Sequence, residues 1–183
     1  MSSCELVNGR LEVCKDAVGG IDAIYFINYG DYSYPTDVTE SNDVISAVAN
    51  VASLYKYELK GTNSFEQNIT SSRENGTTFV EQTLSVILKK QDATTHKSVK
   101  MLSYGRPHII VKNRNSQFFL AGLEHGMELT TAAVANGTAM GDLNGYTLTF
   151  VGNEIVLANI IDVSNEATLV AAFGLTLADI ITS

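Results

Sequence analysis

The segment Thr77 to Lys90 (TTFVEQTLSVILKK) constrains the fold more than any other part of the chain. Val80, Leu84, Val86 and Leu88 fall on one parity, and Glu81, Thr83, Ser85 and Lys89 fill most of the other. Period-two alternation sends one set to a buried face and the other toward solvent, whereas a helix would scatter both. The run is far longer than a common strand of about 5–6 residues. It follows Ser71-Ser72-Arg73-Glu74-Asn75-Gly76, whose Asn-Gly step tolerates the positive φ of a tight reversal. Before that turn, Tyr55, Tyr57 and Leu59 alternate with Lys56, Glu58 and Lys60; Gly61 interrupts, and Phe65 to Thr70 continue. These segments predict a long hairpin over about 55–90, with a polar tip at 70–77. A hairpin of that length packs on a second layer or stands out from the body.

The remaining chain reads mainly as strands. Ile21 to Asn28 (IDAIYFIN) is apolar on both parities, as a strand covered on both sides requires. Residues 31–43 are rich in Asp, Ser, Thr and Tyr with Pro35, and read as a loop. Residues 44–53 are ambiguous between helix and strand: Val44, Val48, Val51 and Tyr55 have helical spacing, but the stretch is β-branched. A helix is expected at 93–104, capped by Asp92 and ended by Gly105 and Pro107. His108 to Lys112, a turn at 113–116 and Gln117 to Leu123 form a second hairpin. Gly122 and Gly126 mark bulges or close backbone approach. Met127 to Val134 is a further strand, and 138–143 a loop. Tyr146, Leu148 and Phe150 against Thr147 and Thr149 make another strand; 155–161 is a short one, and 165–173 a short terminal helix with Asn165 as cap. Seven to nine strands with one firm helix define a mainly β fold: a β-sandwich or curved antiparallel sheet with a flanking α-helix.

At 183 residues this is one domain (1–183), with 1–20 as an N-terminal arm and 160–183 as a C-terminal extension. Charge is segregated along it. Residues 1–55 carry two basic and eight acidic residues, net −6; residues 56–114 carry ten and five, net +5; residues 115–183 carry seven acidic residues and no Lys or Arg, net −7. The overall −8 argues against a surface that binds DNA by releasing counterions. Glu5 and Glu12 interrupt the apolar run of a secretory signal, and no window approaches the ~18 apolar residues of a membrane span. The expectation is a chain made in a cytosol with no membrane partner.

Searching for chemistry yields little. There is no His-Glu-x-x-His, Gly-x-Ser-x-Gly, phosphate-binding or dinucleotide motif. Cys4 and Cys14 fit no zinc ligand set and read as reduced thiols. The sequons at Asn68, Asn75 and Asn136 read as turn chemistry. His96, His108 and His125 are spread over a helix, a strand and a turn. Glu124-His125 beside Gly126 is the most site-like pair, with a polar-rimmed bulge as its plainer reading. No catalytic, cofactor or metal residue is expected, and the chain is read as non-enzymatic. Ser72, Arg73, Glu74 and Asn75 at the hairpin tip read as a solvated turn or as a contact surface for another chain, and Arg114, Glu124 and His125 are further expected contact residues.

The runs Tyr55 to Lys60, Ser64 to Lys90, Tyr104 to Thr130 and Gly137 to Glu154 together resemble the tail tube (major tail) proteins of tailed bacteriophages, over about 55–155. The resemblance implies a β-sandwich with a flanking helix that closes into hexameric rings stacked as a hollow tube. A four-stranded sheet from each subunit would line the channel. The implied partners are other copies of the chain, a tape-measure protein, tail terminator or adaptor and tail tip proteins, and a sheath in contractile tails. Genomic DNA would pass through the lumen without specific binding, and the protein would reside in the virion tail. A head–tail adaptor, a decoration protein and a β-sandwich ligand-binding module are the alternatives.

The strands expected to face the lumen are the 55–90 hairpin, 117–134 and 145–151, with the apolar face of 80–88 turned away from it. Acidic groups are expected toward the channel, where they would keep phosphates from sticking. Opposite charges are expected across ring contacts, where complementarity sets register.

Overall fold

Strand β1 (Ile21–Ile27) is apolar on both faces because it is covered on both. Tyr25 and Ile27 enter one core; Ile24 and Phe26 enter another. The computed structural model describes residues 9–12 and 14–182. After β1 come β2 (Val38–Ser41), β3 (Val44–Val48), β4 (Leu54–Glu58), β5 (Ser64–Ser72) and β6 (Thr77–Lys89). Helix α1 (Ala93–Leu102) leads to β7 (His108–Asn113), β8 (Phe118–Ala121), β9 (Glu128–Ala135), β10 (Gly145–Glu154) and β11 (Asn159–Ile161). Helix α2 (Glu166–Ala172), a 3-10 turn and β12 (Ile180–Ile181) end the chain.

The fold is mainly β, with largely antiparallel sheets and a flanking helix. Eight strands run in the order β12-β4-β1-β7-β8-β11-β3-β2, and four in the order β5-β6-β10-β9. The core between the sheets holds Leu84 and Val86 of β6, Tyr146, Leu148 and Phe150 of β10, and Ile109 and Val111 of β7. Burying each such side chain contributes roughly 1.5–3 kcal/mol. On its other face the larger sheet curls around Tyr25, Ile45, Leu54, Ile110, Phe118 and Leu120. Leu169, Val170 and Phe173 enter that core, so residues 160–183 supply a strand, a helix and core side chains.

Helix α1 begins where expected: the Asp92 carboxylate accepts the Thr95 N–H at 2.7 Å. Asn165 caps α2 with a reciprocal hydrogen bond to Thr168. Gly122 and Gly126 both have positive φ, 67° and 75°, and a Cβ on Gly126 would collide with the Arg106 carbonyl. The expected close backbone approach is therefore present.

Three expectations change. Residues 31–43 are not all loop: β2 lies within them and pairs with β3 through Asn42 and Asp43, whose φ values are 53° and 62°. Two consecutive left-handed residues make the mirror-image turn that suits a two-residue hairpin, and Asn and Asp tolerate it. The ambiguous 44–53 contains strand β3, as its β-branched side chains favour. The hairpin is β5–β6, residues 64–89, and not 55–90. Strand β4 pairs with β1 in the larger sheet, and Gly61 (φ 122°) lies in the crossing from one sheet to the other. Cys14 is an exposed thiol; Cys4 and most of the arm's first half lie outside the described residues.

Candidate functional site

The four-stranded sheet has one face in the core and one in the open, assigned by register. On β6, Val80, Gln82, Leu84 and Val86 are buried, so Phe79, Glu81, Thr83, Ser85 and Ile87 point away. Pairing aligns Glu66 with Thr83 and Asn68 with Glu81 on the β5 side. It aligns Ser85 with Thr149, and Thr149 with Thr131, on the other. Glu128 joins the same face opposite Val151, after a bulge that restores the parity of β9. The outer face is therefore built mostly of Ser, Thr and Asn. On this face the four strands carry three carboxylates, Glu66, Glu81 and Glu128, and one ammonium, Lys89, with Glu58 and Lys60 bordering the face beside Ile87 and Lys89. The apolar parity of 80–88 is turned inward, as expected. Of the expected lumen segments, β8 (within 117–134) does not belong to this face: it pairs with β7 and β11 in the other sheet.

The two border strands of this sheet are unpaired on their outer sides. Strand β9 is eight residues long and nowhere fully buried; β5 is nine residues long and likewise. Neither contains Lys, Arg or Pro. Natural proteins normally protect a solitary edge with those residues, because a row of free N–H and C=O groups recruits other strands.

The site residues expected from sequence fall in three places. Ser72 ends β5, and Arg73, Glu74 and Asn75 form the exposed hairpin tip, where the Ser72 hydroxyl accepts the Asn75 N–H at 3.3 Å. Arg114 lies in the β7–β8 turn, and its backbone N–H donates to the Gly20 carbonyl at 3.1 Å, tying the turn to the arm. Glu124 and His125 lie in the β8–β9 loop, brought together with a residue that sequence reasoning missed. Glu154 is 3% exposed; its Oε1 accepts the backbone N–H groups of Glu124 (3.1 Å) and His125 (2.8 Å), and its Oε2 meets His125 Nδ1 at 3.1 Å. Ligand atoms of the three residues lie within 4.8 Å of one another. The Glu154 carboxylate is already engaged by the loop, so the arrangement works as a clasp. A signal was there: alternation from Phe150 puts Glu154 on the inward parity, a charge where the core pattern asks for an apolar residue.

Two further buried polar side chains anchor the same loop. Gln82, fully buried, accepts the Gly122 N–H at 2.9 Å. His108 donates from Nδ1 to the Gly122 carbonyl and packs against the rings of Tyr29 and Tyr32. Because Nδ1 carries the proton, Nε2 holds the lone pair, and it has no hydrogen-bond partner. Burial pushes the His108 pKa below the usual imidazole value, against the opposing pull of the Gly122 carbonyl, Glu154 and Asp31.

Among the described residues, no helix is long and apolar enough to cross a membrane. No protein-family model, curated protein or solved structure matches the chain.

Proposed function

We propose that the protein is a non-enzymatic structural subunit of a phage tail tube, closing into hexameric rings that stack around a tape-measure protein and later let DNA pass. The observation that carries this reading is the four-stranded sheet, with its two border strands unpaired on their outer sides and a polar, acidic outer face. Edge β9 of one copy meeting edge β5 of the next is a heterologous contact. Repeated through a closing rotation, it makes a ring with no free edge. The outer face then lines the channel, where three carboxylates against one ammonium per subunit repel phosphate. The exposed tip at 73–76 is free to reach an adjoining ring. In the virion the ends of such a tube meet terminator, adaptor and tip proteins, and a sheath in a contractile tail.

Negative-stain microscopy of the concentrated, purified protein tests the reading. Tubes or stacked rings with a central channel are expected. Single rings that never stack point instead to an adaptor, and a strictly monomeric chain removes the proposal.

A further inference from the structure

Helix α1 is poorly buried for an element that closes a core. Of its ten residues only Val99 is buried, and Met101 is 64% exposed. Between the helix and the larger sheet runs an open, mainly apolar groove of about 420 Å³, walled by Phe26, Tyr55, Tyr57, Met101, Leu102 and Pro107. Lys97 lines it too, and Lys100 is exposed on the same helix. The helix itself contains no acidic residue.

A complementary surface lies at the opposite border of the four-stranded sheet. The β10–β11 loop presents Ile155, 70% exposed, and Leu157, 48% exposed, followed on β11 by Ile160 and beside it on β3 by Val44. The loop is held in this position from β5 and β6: Gln67 accepts the Ala158 N–H, and Gln82 donates to the Val156 carbonyl. Its neighbours are acidic. Asp43 accepts the Ile160 N–H through its carbonyl, Glu40 accepts from Asn159, and Asp162 follows β11. Contiguous exposed apolar side chains with a charged rim mark an interaction surface.

Loop and groove lie on opposite sides of one sheet. Helix α1 packs beside β9, where Gln91 donates to the Ala135 carbonyl, and the loop packs beside β5. We infer that the occupant of the groove is a second copy of this chain, whose Ile155 and Leu157 seat under α1 while Glu40, Asp43 and Asp162 face Lys97 and Lys100. This rests on the ring reading: pairing β9 of one copy with β5 of the next carries the neighbour's loop to the groove. It adds a second, apolar layer of contact outside the strand seam and gives the charge segregation of the sequence a role in register.

Two variants at exposed positions test it: Leu157→Glu removes the knob, and Met101→Glu spoils the groove. Far-ultraviolet circular dichroism and thermal melting first check that each remains folded. Assembly is then followed by light scattering on a sizing column. Each variant alone should need at least a tenfold higher concentration than the wild type to assemble. Mixed together, they retain one intact knob and one intact groove, and should form one-to-one pairs and no rings. Assembly of either variant at wild-type concentration, or a mixture that stays monomeric, overturns the inference while leaving wild-type rings intact. A wild type that never assembles removes the ring reading as well. If deleting residues 1–15 changes assembly while Leu157→Glu does not, the groove's occupant is the chain's own arm, and the inference fails.

Discussion

The carboxylate of Glu154 receives the backbone N–H of His125 at 2.8 Å, and this hydrogen bond joins the end of strand β10 to the loop that opens β9. A buried carboxylate is tolerated there because its oxygens are met by two backbone donors and an imidazole. The clasp sets where β9 begins, and hence where the outer edge of the smaller sheet starts.

Replacing Glu154 with Ala should therefore destabilise the chain by about 1–2 kcal/mol, since two part-buried N–H groups lose a charged acceptor. Glu154→Gln, which keeps an acceptor oxygen, should cost roughly half as much. Urea unfolding with an unchanged m-value measures both. A loss below about 0.5 kcal/mol for the alanine variant contradicts the clasp.

His108 makes stability depend on pH in a stated direction. Its folded pKa is depressed from 6.5, chiefly by burial, so the unfolded chain takes up a proton at a higher pH than the native one. Its contribution is fully present above 6.5 and is lost as pH falls from there through the folded value. Glu154 and Asp31 favour the protonated ring and Arg106 opposes it, but burial outweighs them. The urea midpoint should decline between pH 7 and 5, and the decline should be shallower in His108→Gln. Equal slopes for the two proteins would falsify the assignment.

Helix α2 is tied to the larger sheet by Glu166, whose carboxylate meets Lys56 Nζ at 2.6 Å and accepts from the Tyr25 hydroxyl. Burial alone would raise the Glu166 pKa; the hydrogen bonds from Lys56 and Tyr25 outweigh it, and the net shift is downward from 4.5. This contribution is present above 4.5 and fades as pH drops through the lower folded value. Glu166→Gln should cost about 1 kcal/mol at pH 7 and less at pH 3. Denaturation at the two pH values makes the comparison.

Shortening the tip, residues 71–76, should leave the melting temperature of the monomer within a few degrees and impair stacking of rings. The tip is solvated and contributes no buried side chain. Tubes of normal length from the shortened protein would remove its role between rings.

Reversing the outer-face charges with Glu66→Lys, Glu81→Lys and Glu128→Lys should preserve folding, because all three side chains are exposed. Assembled material should then retain duplex DNA at low salt and release it as salt rises. If unmodified assemblies hold DNA equally well, the repulsive lining has no basis.

The sequence by itself determined the elements whose signals are local. Alternation at 77–89 and 146–150 located the two central strands of the smaller sheet and told their buried parity from their open one. Asp92 and Asn165 located both helix starts, because a cap is a contact between residues three apart. Which sheet a strand joins is a different kind of question, decided by partners far along the chain. Tyr55 to Lys60 and Phe65 to Thr70 read as one interrupted strand, yet the fold turns at Gly61 and sends them to different layers, since a strand's own pattern does not name its neighbour. The same holds for charge. The acidic outer face draws Glu66 and Glu81 from the block with net positive charge, because faces are assembled by parity and register across strands and not by position along the chain. Glu154, Gln82 and His108 became visible as anchors of the 122–126 loop only once the sheets had packed, when burial left each needing a partner that only the fold could bring near.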